Sequence, residues 1–399
     1  MTRITVIGLD GRSLYPEAEG LLRDAALVAG GERHLEMLGV ESGRVAVLKG
    51  NLSEVLVRIQ ETDGPVVVLA SGDPGFFGIV RLLAERFGRE HLRVMPGVPS
   101  VALAFARAGL SWDDALTVSA HGRDPRRAAN VCRSHPKVAV LTSPEFGPAE
   151  LAGRLGDLDR TFVVAERLGG PDERVFWGDA ATVAGMEWED PNVVLVLDEA
   201  RASRAKGWIS SGVESPRRWA LPEEEFEFRS SMITKSETRA LVLSRLGPGP
   251  GDLIWDVGAG SASVGIECAR LGAAAIAVER DPESCVRIRR NAARHGAYVQ
   301  VVEGEAPGAL YGLPEPDTVF VGGTGESFEE VVGLAASARR RVVLTLIGLE
   351  RVIPAGKILE GCGLEVETTL LQASRVKGVG SLHRLAAETP VFIVSGRKP

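Results

Sequence analysis

Short runs of β-branched and aliphatic residues, bounded by glycine and separated by Ala/Leu/Arg stretches of helical period, recur along the chain. This is the alternation of a parallel α/β protein, whose strands are buried on both faces and read as continuous apolar runs. In the first half it predicts strands at 4–7, 66–70, 92–95, 138–141, 161–165 and 192–197. The pattern stops between 201 and 229, where Trp208, Ser210, Ser211, Pro216, Pro222 and the acidic run Glu223-Glu224-Glu225 show no sustained period. That stretch reads as a linker. A helix follows at 235–246, then a turn at Gly247-Pro248-Gly249-Pro250-Gly251. Strands resume at 253–257, 275–278, 298–302, 318–321, 341–346, 364–368 and 390–394, the last two close to a hairpin arrangement. Seven strands with intervening helices predict a doubly wound nucleotide-binding sheet. The fold class is α/β in two domains, 1–199 and 231–399, joined by 200–230, and 399 residues suit that number.

Charge and composition narrow the function. A net charge of −7, from 46 basic and 53 acidic residues, with 5% aromatics, argues against a nucleic-acid binder. Cys132, Cys268, Cys285 and Cys362 lack CxxC spacing, so neither a zinc site nor a disulfide framework is expected. Met1-Thr2-Arg3 leads straight into a strand and no apolar run reaches the ~18 residues of a bilayer span, which predicts a soluble, cytoplasmic protein. Only seven of the basic residues are lysines, leaving 39 arginines. Their planar, bidentate donors could form local carboxylate sites around Arg123, Arg126, Arg375 and Arg384, although a codon bias would produce the same count.

The most specific segment is Ile254-Trp255-Asp256-Val257-Gly258-Ala259-Gly260-Ser261-Ala262-Ser263-Val264, a buried strand entering a glycine turn that opens a helix. Glu279 follows Gly258 by 21 residues at a strand end, placed to accept hydrogen bonds from two ribose hydroxyls. Gly304-Glu305-Ala306-Pro307 follows the next strand. These residues resemble the class I S-adenosylmethionine (SAM) methyltransferases, in which the first loop faces the methionine half, the acid holds ribose and the third loop flanks adenine. Alanine at 262 stands where that family usually has a third glycine, and the loop should survive this unless φ there is positive. The amine-methylation motif is replaced by Val319-Phe320-Val321-Gly322-Gly323-Thr324-Gly325, a floor suited to close approach of a large flat substrate.

With Met232-Ile233-Thr234-Lys235-Ser236-Glu237-Thr238-Arg239 and Pro390-Val391-Phe392-Ile393-Val394-Ser395-Gly396, residues 225–399 are similar to the carbon-15 methyltransferase and decarboxylase family of corrin biosynthesis. The resemblance implies SAM contacts at Thr234, Gly258, Ala259, Gly260, Ser261, Ala262, Glu279, Glu305 and Ala306.

In the first domain, Ser71-Gly72-Asp73-Pro74 and Met95-Pro96-Gly97-Val98-Pro99-Ser100 place two glycine turns at adjacent strand ends, a ledge for a small ligand. Together with Ser119-Ala120-His121-Gly122-Arg123 and Ala165-Glu166-Arg167-Leu168-Gly169, they resemble the tetrapyrrole methylase family, carbon-5 branch, over 1–199. The resemblance implies SAM contacts at Gly72, Asp73, Pro74, Gly97, Ser100, Thr142 and Glu166. The opening Gly8-Leu9-Asp10-Gly11-Arg12 is shorter than the family's usual loop. His121 and Arg123 could engage substrate carboxylates or simply cap a loop, and His34 reads more readily as structural.

The two resemblances together imply SAM-dependent methylation of a precorrin-6 type tetrapyrrole, metal-free or cobalt-containing, at carbons 5 and 15. They also imply decarboxylation of the ring C acetate, one SAM per domain, no metal and a homo-oligomer. No nucleophile triad or Walker loop is visible, and a sulfonium needs none. His383, Arg384 and Arg375 are candidates to bind or protonate substrate. The alternatives are an RNA methyltransferase and a non-catalytic SAM-binding protein.

Overall fold

The computed structural model describes residues 3–50, 52–156, 158–202, 216–229 and 233–399. Met1, Thr2, Trp208, Ser210, Ser211 and Met232, all used above, lie outside the described residues. The chain divides into two units, one holding Met1–Arg123 and Ala139–Ser210 and the other Asp124–Val138 and Ser211–Pro399. Among the described residues no helix is long and apolar enough to cross a membrane.

In the first unit, β1 (Ile4–Leu9), β2 (Leu27–Gly30), β3 (Val45–Val47), β4 (Val66–Ser71) and β5 (Leu92–Met95) form a parallel sheet in the order β3-β2-β4-β1-β5. Successive residues enter opposite faces: Val6, Val66 and Val68 join one apolar cluster, Ile7, Val67 and Leu69 another. Both faces are covered, which is why β4 reads as an unbroken apolar run. The sequence pattern does not predict β2 and β3, because strands of three or four residues are too short for a period to register.

A second sheet holds β6 (Leu116–Ser119), β7 (Lys137–Leu141), β8 (Thr161–Glu166), β9 (Arg174–Asp179) and β10 (Asn192–Leu197), in the order β6-β7-β10-β8-β9. Here the all-parallel expectation is corrected, since β8 runs antiparallel to both β10 and β9. An apolar run registers burial and carries no sign of strand direction. The short 167–173 connection permits the antiparallel return.

The second unit contains β11 (Leu253–Val257), β12 (Ala274–Glu279), β13 (Val299–Glu303), β14 (Thr318–Val321), β15 (Arg341–Leu346) and β16 (Glu365–Leu371). A separate hairpin, β17 (Ser374–Val379) with β18 (Leu382–Ala387), precedes β19 (Val391–Arg397). The seven-stranded sheet has the order β13-β12-β11-β14-β15-β19-β16, parallel through β15. Strand β19 is inserted antiparallel between β15 and β16. The last two predicted strands therefore do pair, but the expected near-hairpin is corrected by the two-stranded excursion between them.

The expected linker is corrected over 216–229. Leu221 and Phe226 are buried in one cluster with Ala262, Ile266 and Ile288. The cause is polar. Glu267, fully buried, accepts hydrogen bonds from the Ala220 and Leu221 amides, both at 2.7 Å, and from Arg239 Nε at 3.0 Å. Arg239, also fully buried, donates to the carbonyls of Thr234 (2.6 Å) and Leu221, and its guanidinium lies 4.8 Å from the Phe226 ring centre. Such fasteners have no hydrophobic period, so the segment reads as coil while being packed.

Removing one member of a buried, fully hydrogen-bonded pair strands the other charge. Glu267→Ala is therefore expected to destabilise the second unit by about 3–5 kcal/mol, read as a lowered denaturant midpoint.

Candidate functional site

In the second unit the loops after β11, β12, β13 and β14 meet at one edge of the sheet, where a doubly wound fold binds its ligand. The Gly258 and Ala259 amides donate to the Val278 carbonyl at 3.0 and 3.1 Å, and Gly322 N donates to the Val257 carbonyl at 2.9 Å. Gly258 has φ +67°, and a Cβ there would lie 2.6 Å from the Gly323 carbonyl oxygen and 2.8 Å from its nitrogen. The glycine at 258 is thus required by backbone meeting backbone. The glycine floor at 322–323 answers this contact, and nothing in the geometry requires a flat substrate to explain it.

Ala262 has φ +52°, the condition under which the loop was in doubt. The turn nevertheless forms, and the helix Ser263–Arg270 starts behind it. A left-handed alanine costs about 1 kcal/mol, offset by full burial of its methyl group.

Glu279 accepts from Gly260 N through Oε2 (2.8 Å) and from Asp281 N through Oε1 (3.0 Å). Each carboxylate oxygen keeps capacity for a further donor. Glu305 and Arg280 form an exposed pair at 2.8 Å beside Gly325, and Ala306 precedes a cis Pro307. The Thr234 carbonyl accepts from Arg239 at 2.6 Å, and its neighbour Ile233 packs, as Ala259 does, against one apolar cluster. The loop is also stapled from outside: buried Asn291 donates to the carbonyls of Ser261 (3.1 Å) and Glu227 (2.9 Å). Asn291 and Glu267 have no sequence signal beyond polar residues inside helical runs, and sequence reasoning missed them; Arg239 closes the 232–239 motif, but its buried role was not read from it.

Arg375 is corrected as a substrate ligand. Its guanidinium is engaged by Glu223 (2.8 and 3.0 Å), Glu237 (2.6 and 3.0 Å) and Ser236 Oγ (3.2 Å). These hydrogen bonds hold the Glu223 carboxyl down at about 2. Arg375 anchors β17 to the segment preceding the glycine turn. His383 and Arg384 lie on β18, and both are exposed.

In the first unit Gly8, Gly72 and Gly97 converge. A Cβ on Gly8 would fall on the Gly72 carbonyl oxygen and the Gly97 amide nitrogen. Gly8, Asp10, Asp73, Gly97 and Val98 line a cavity of about 390 Å³ at the ends of β1, β4 and β5. Asp73 Oδ1 accepts from Gly75 N at 2.8 Å, and Ser100 opens the helix Ser100–Ala108. The shortened opening loop contributes Asp10, whose Oδ2 accepts from Val98 N at 3.1 Å. Thr142 and Glu166 are not among the residues lining this cavity. Thr142 Oγ1 bonds Asn192 Oδ1 (2.7 Å), Asn192 faces Glu166 in register, and Glu166 pairs with Arg174 at 2.7 Å. His121 is exposed, and Arg123 lies 5.7 Å from the Phe77 ring, near the Asp73 turn. Arg126, which belongs to the second unit, is corrected too: it pairs at 2.8 Å with Asp124, the cap of its own helix.

Asp256, beneath the glycine turn, is buried, with Oδ2 accepting from Gly265 N at 2.8 Å and Oδ1 unpartnered. Burial, aided by the charge of Glu279, raises its carboxyl to about 7. A raised folded value means the folded state holds a proton that the unfolded state has lost, so this carboxyl's contribution falls as pH rises from ~4 to ~7 and is level above. Asp256→Asn should abolish that slope. Its stability relative to wild type is expected to climb by on the order of 1 kcal/mol per pH unit across that window, measured by denaturant unfolding.

Comparison with known proteins places both halves. Residues 5–184 match the family described as Tetrapyrrole (Corrin/Porphyrin) Methylases, and residues 225–398 match the Precorrin methyltransferase domain. A Sinorhizobium protein named precorrin-6Y C(5,15)-methyltransferase [decarboxylating] is 39% identical over 336 residues, covering 81% of this chain and 78% of its own. The cobalt-precorrin-7 C(5)-methyltransferase of Salmonella typhimurium is 36% identical, covering 49% of this chain and 99% of its own. A crystal structure titled precorrin-6y C5,15-methyltransferase, from Geobacter metallireducens, is 34% identical with a TM-score of 0.43, covering 45% of this chain and 97% of that one.

Proposed function

The chain belongs to the precorrin-6Y C(5,15)-methyltransferase (decarboxylating) family, and from that membership we propose that it methylates a precorrin-6 type tetrapyrrole at carbons 5 and 15 and decarboxylates the ring C acetate. It is a SAM-dependent C-methyltransferase of cobalamin biosynthesis, acting in the cytoplasm. The first unit carries the carbon-5 reaction and the second the carbon-15 reaction with loss of CO₂. Each binds one SAM. The observation that carries the second site is Glu279, held by two backbone amides with an open acceptor position on each oxygen. That fits a ribose diol. Gly258–Ala262 would face the methionine portion, and Glu305 and Ala306 the adenine. In the first unit Gly72, Asp73, Pro74, Gly97 and Ser100 would hold SAM around the cavity, with Thr142 and Glu166 at the neighbouring sheet. The RNA-directed and non-catalytic alternatives draw no support from the relatives.

Bound SAM supplies an activated sulfonium methyl. The protein's own work is placement and exclusion of water. At each meso carbon the methyl arrives and the carbon's hydrogen leaves as a proton. In the decarboxylation the electron pair of the breaking C–C bond enters the conjugated ring, and a proton later returns to the acetate carbon.

Incubated with SAM and precorrin-6Y or its cobalt form, the chain is expected to yield a product with two added methyl groups and one CO₂ lost, read by mass spectrometry. Methyl gain without CO₂ loss would make the carbon-15 assignment wrong. Calorimetry should count two SAM sites per chain, and Gly258→Arg should remove one of them, since any Cβ at 258 meets Gly323 backbone.

A further inference from the structure

The carbon-5 reaction has to dispose of a proton, and the site described above names no base for it. One hydrogen-bonded pair stands at the right edge of the sheet. His34, on the helix Glu32–Met37 after β2, is buried, and its Nε2 lies 3.3 Å from Ser71 Oγ and 3.4 Å from Arg33 Nη2. Ser71 ends β4, the strand adjoining β2, and is exposed. The next residue is Gly72, whose carbonyl accepts at 3.2 Å from the amide of Gly97, a residue that lines the cavity, as does Asp73.

The donor inventory assigns the direction of the pair. A guanidinium can only donate, so with Arg33 Nη2 beside it Nε2 is the acceptor, its one lone pair shared between Arg33 and Ser71. The Ser71 hydroxyl therefore donates to His34, which leaves its own oxygen lone pairs turned away from the ring. This is the arrangement of an activated hydroxyl, one step from a neutral imidazole.

We infer that Ser71 and His34 form the proton-accepting relay of carbon-5 methylation. The inference rests on the carbon-5 reading of the first unit. As the methyl forms its bond to carbon 5, the ring becomes a cation. Its C5–H bond then breaks, the electron pair returning to the ring and the proton passing to Ser71 Oγ. The hydroxyl's original proton moves to His34 Nε2, and the imidazolium later releases it to solvent. No oxidant or second reagent is needed.

The surrounding charges suit a base that must rest neutral. Arg33 is the charged group that contacts the ring, while Glu32 on the same helix is turned to Lys49, at 3.3 Å, after β3. From β4 Ser71 hydrogen-bonds the ring, and Asp73 beyond it is engaged by Gly75 N. Burial, with the Arg33 charge added, pushes the His34 imidazole below its ordinary value. A weak base suffices, because the proton leaves a cationic macrocycle.

The experiment follows each methylation separately by mass spectrometry and NMR of the product. In the wild type, carbon-5 kcat is expected to rise with pH through an acid limb below that of an ordinary histidine. His34→Asn should cut this kcat by about 100-fold or more, with KM for SAM unmoved, and erase the limb. Ser71→Ala should also lower it and leave His34 unable to compensate. Imidazole in the buffer should partly restore His34→Ala. Carbon-15 methylation and CO₂ loss, carried by the other unit, should continue in every variant and so report that the chain is folded. Unchanged carbon-5 kcat in His34→Asn, or a rise in KM alone, overturns the relay. Wild-type chain that leaves carbon 5 unmethylated overturns the carbon-5 reading itself, and that arm is read before any variant.

Discussion

Both units depend on one constraint: at the edge of a parallel sheet the chain must turn from strand to helix while neighbouring turns crowd the same space. There is no room for side chains at the closest points. In the first unit Gly8 is wedged between the Gly72 carbonyl and the Gly97 amide, and in the second Gly258 meets the backbone of Gly323. The same crowding that excludes a Cβ leaves amides and carbonyls at the surface of a crevice, which is where these folds take ligands. Ala262 shows the limit of the rule, since it accepts a left-handed backbone where burial of its methyl group returns most of the cost.

A second theme is the use of charge as internal fastening. Arginine abundance in an acidic chain suggested carboxylate sites for an anionic substrate. Two of the four arginines singled out are instead engaged with carboxylates of the chain itself, Arg375 with Glu223 and Glu237 and Arg126 with Asp124. Arg239 does the same in full burial with Glu267. The segment 216–229 is held to the second unit in this way, and through Asn291 the fastening reaches Ser261 in the glycine turn itself. Arg123, over Phe77, lies near the Asp73 turn.

How much was legible follows from what each signal measures. Central strands such as β4, β11 and β14 were readable because each is an apolar run long enough to imply burial on both faces. The glycine turns and Glu279 were readable because they combine a local backbone requirement with a fixed spacing. β2, β3, β6 and β9 were not, being short or half exposed. The antiparallel return of β8 was hidden because strand direction leaves no mark on composition. The His34–Ser71 pair was illegible as a pair: the two residues are 37 apart in sequence and meet only because β2 and β4 are neighbours in the sheet.

The sequence by itself determined the two α/β units, the central strands and the glycine turns, since burial period and backbone freedom are local properties of the chain. It also carried the family resemblance through motifs that are each contiguous. Which arginine faces which carboxylate, where β19 is inserted, how 216–229 is held and what His34 meets were decided only by the tertiary structure. Those contacts join residues distant in the chain, and a hydrogen bond or ion pair has no period by which a sequence can announce it.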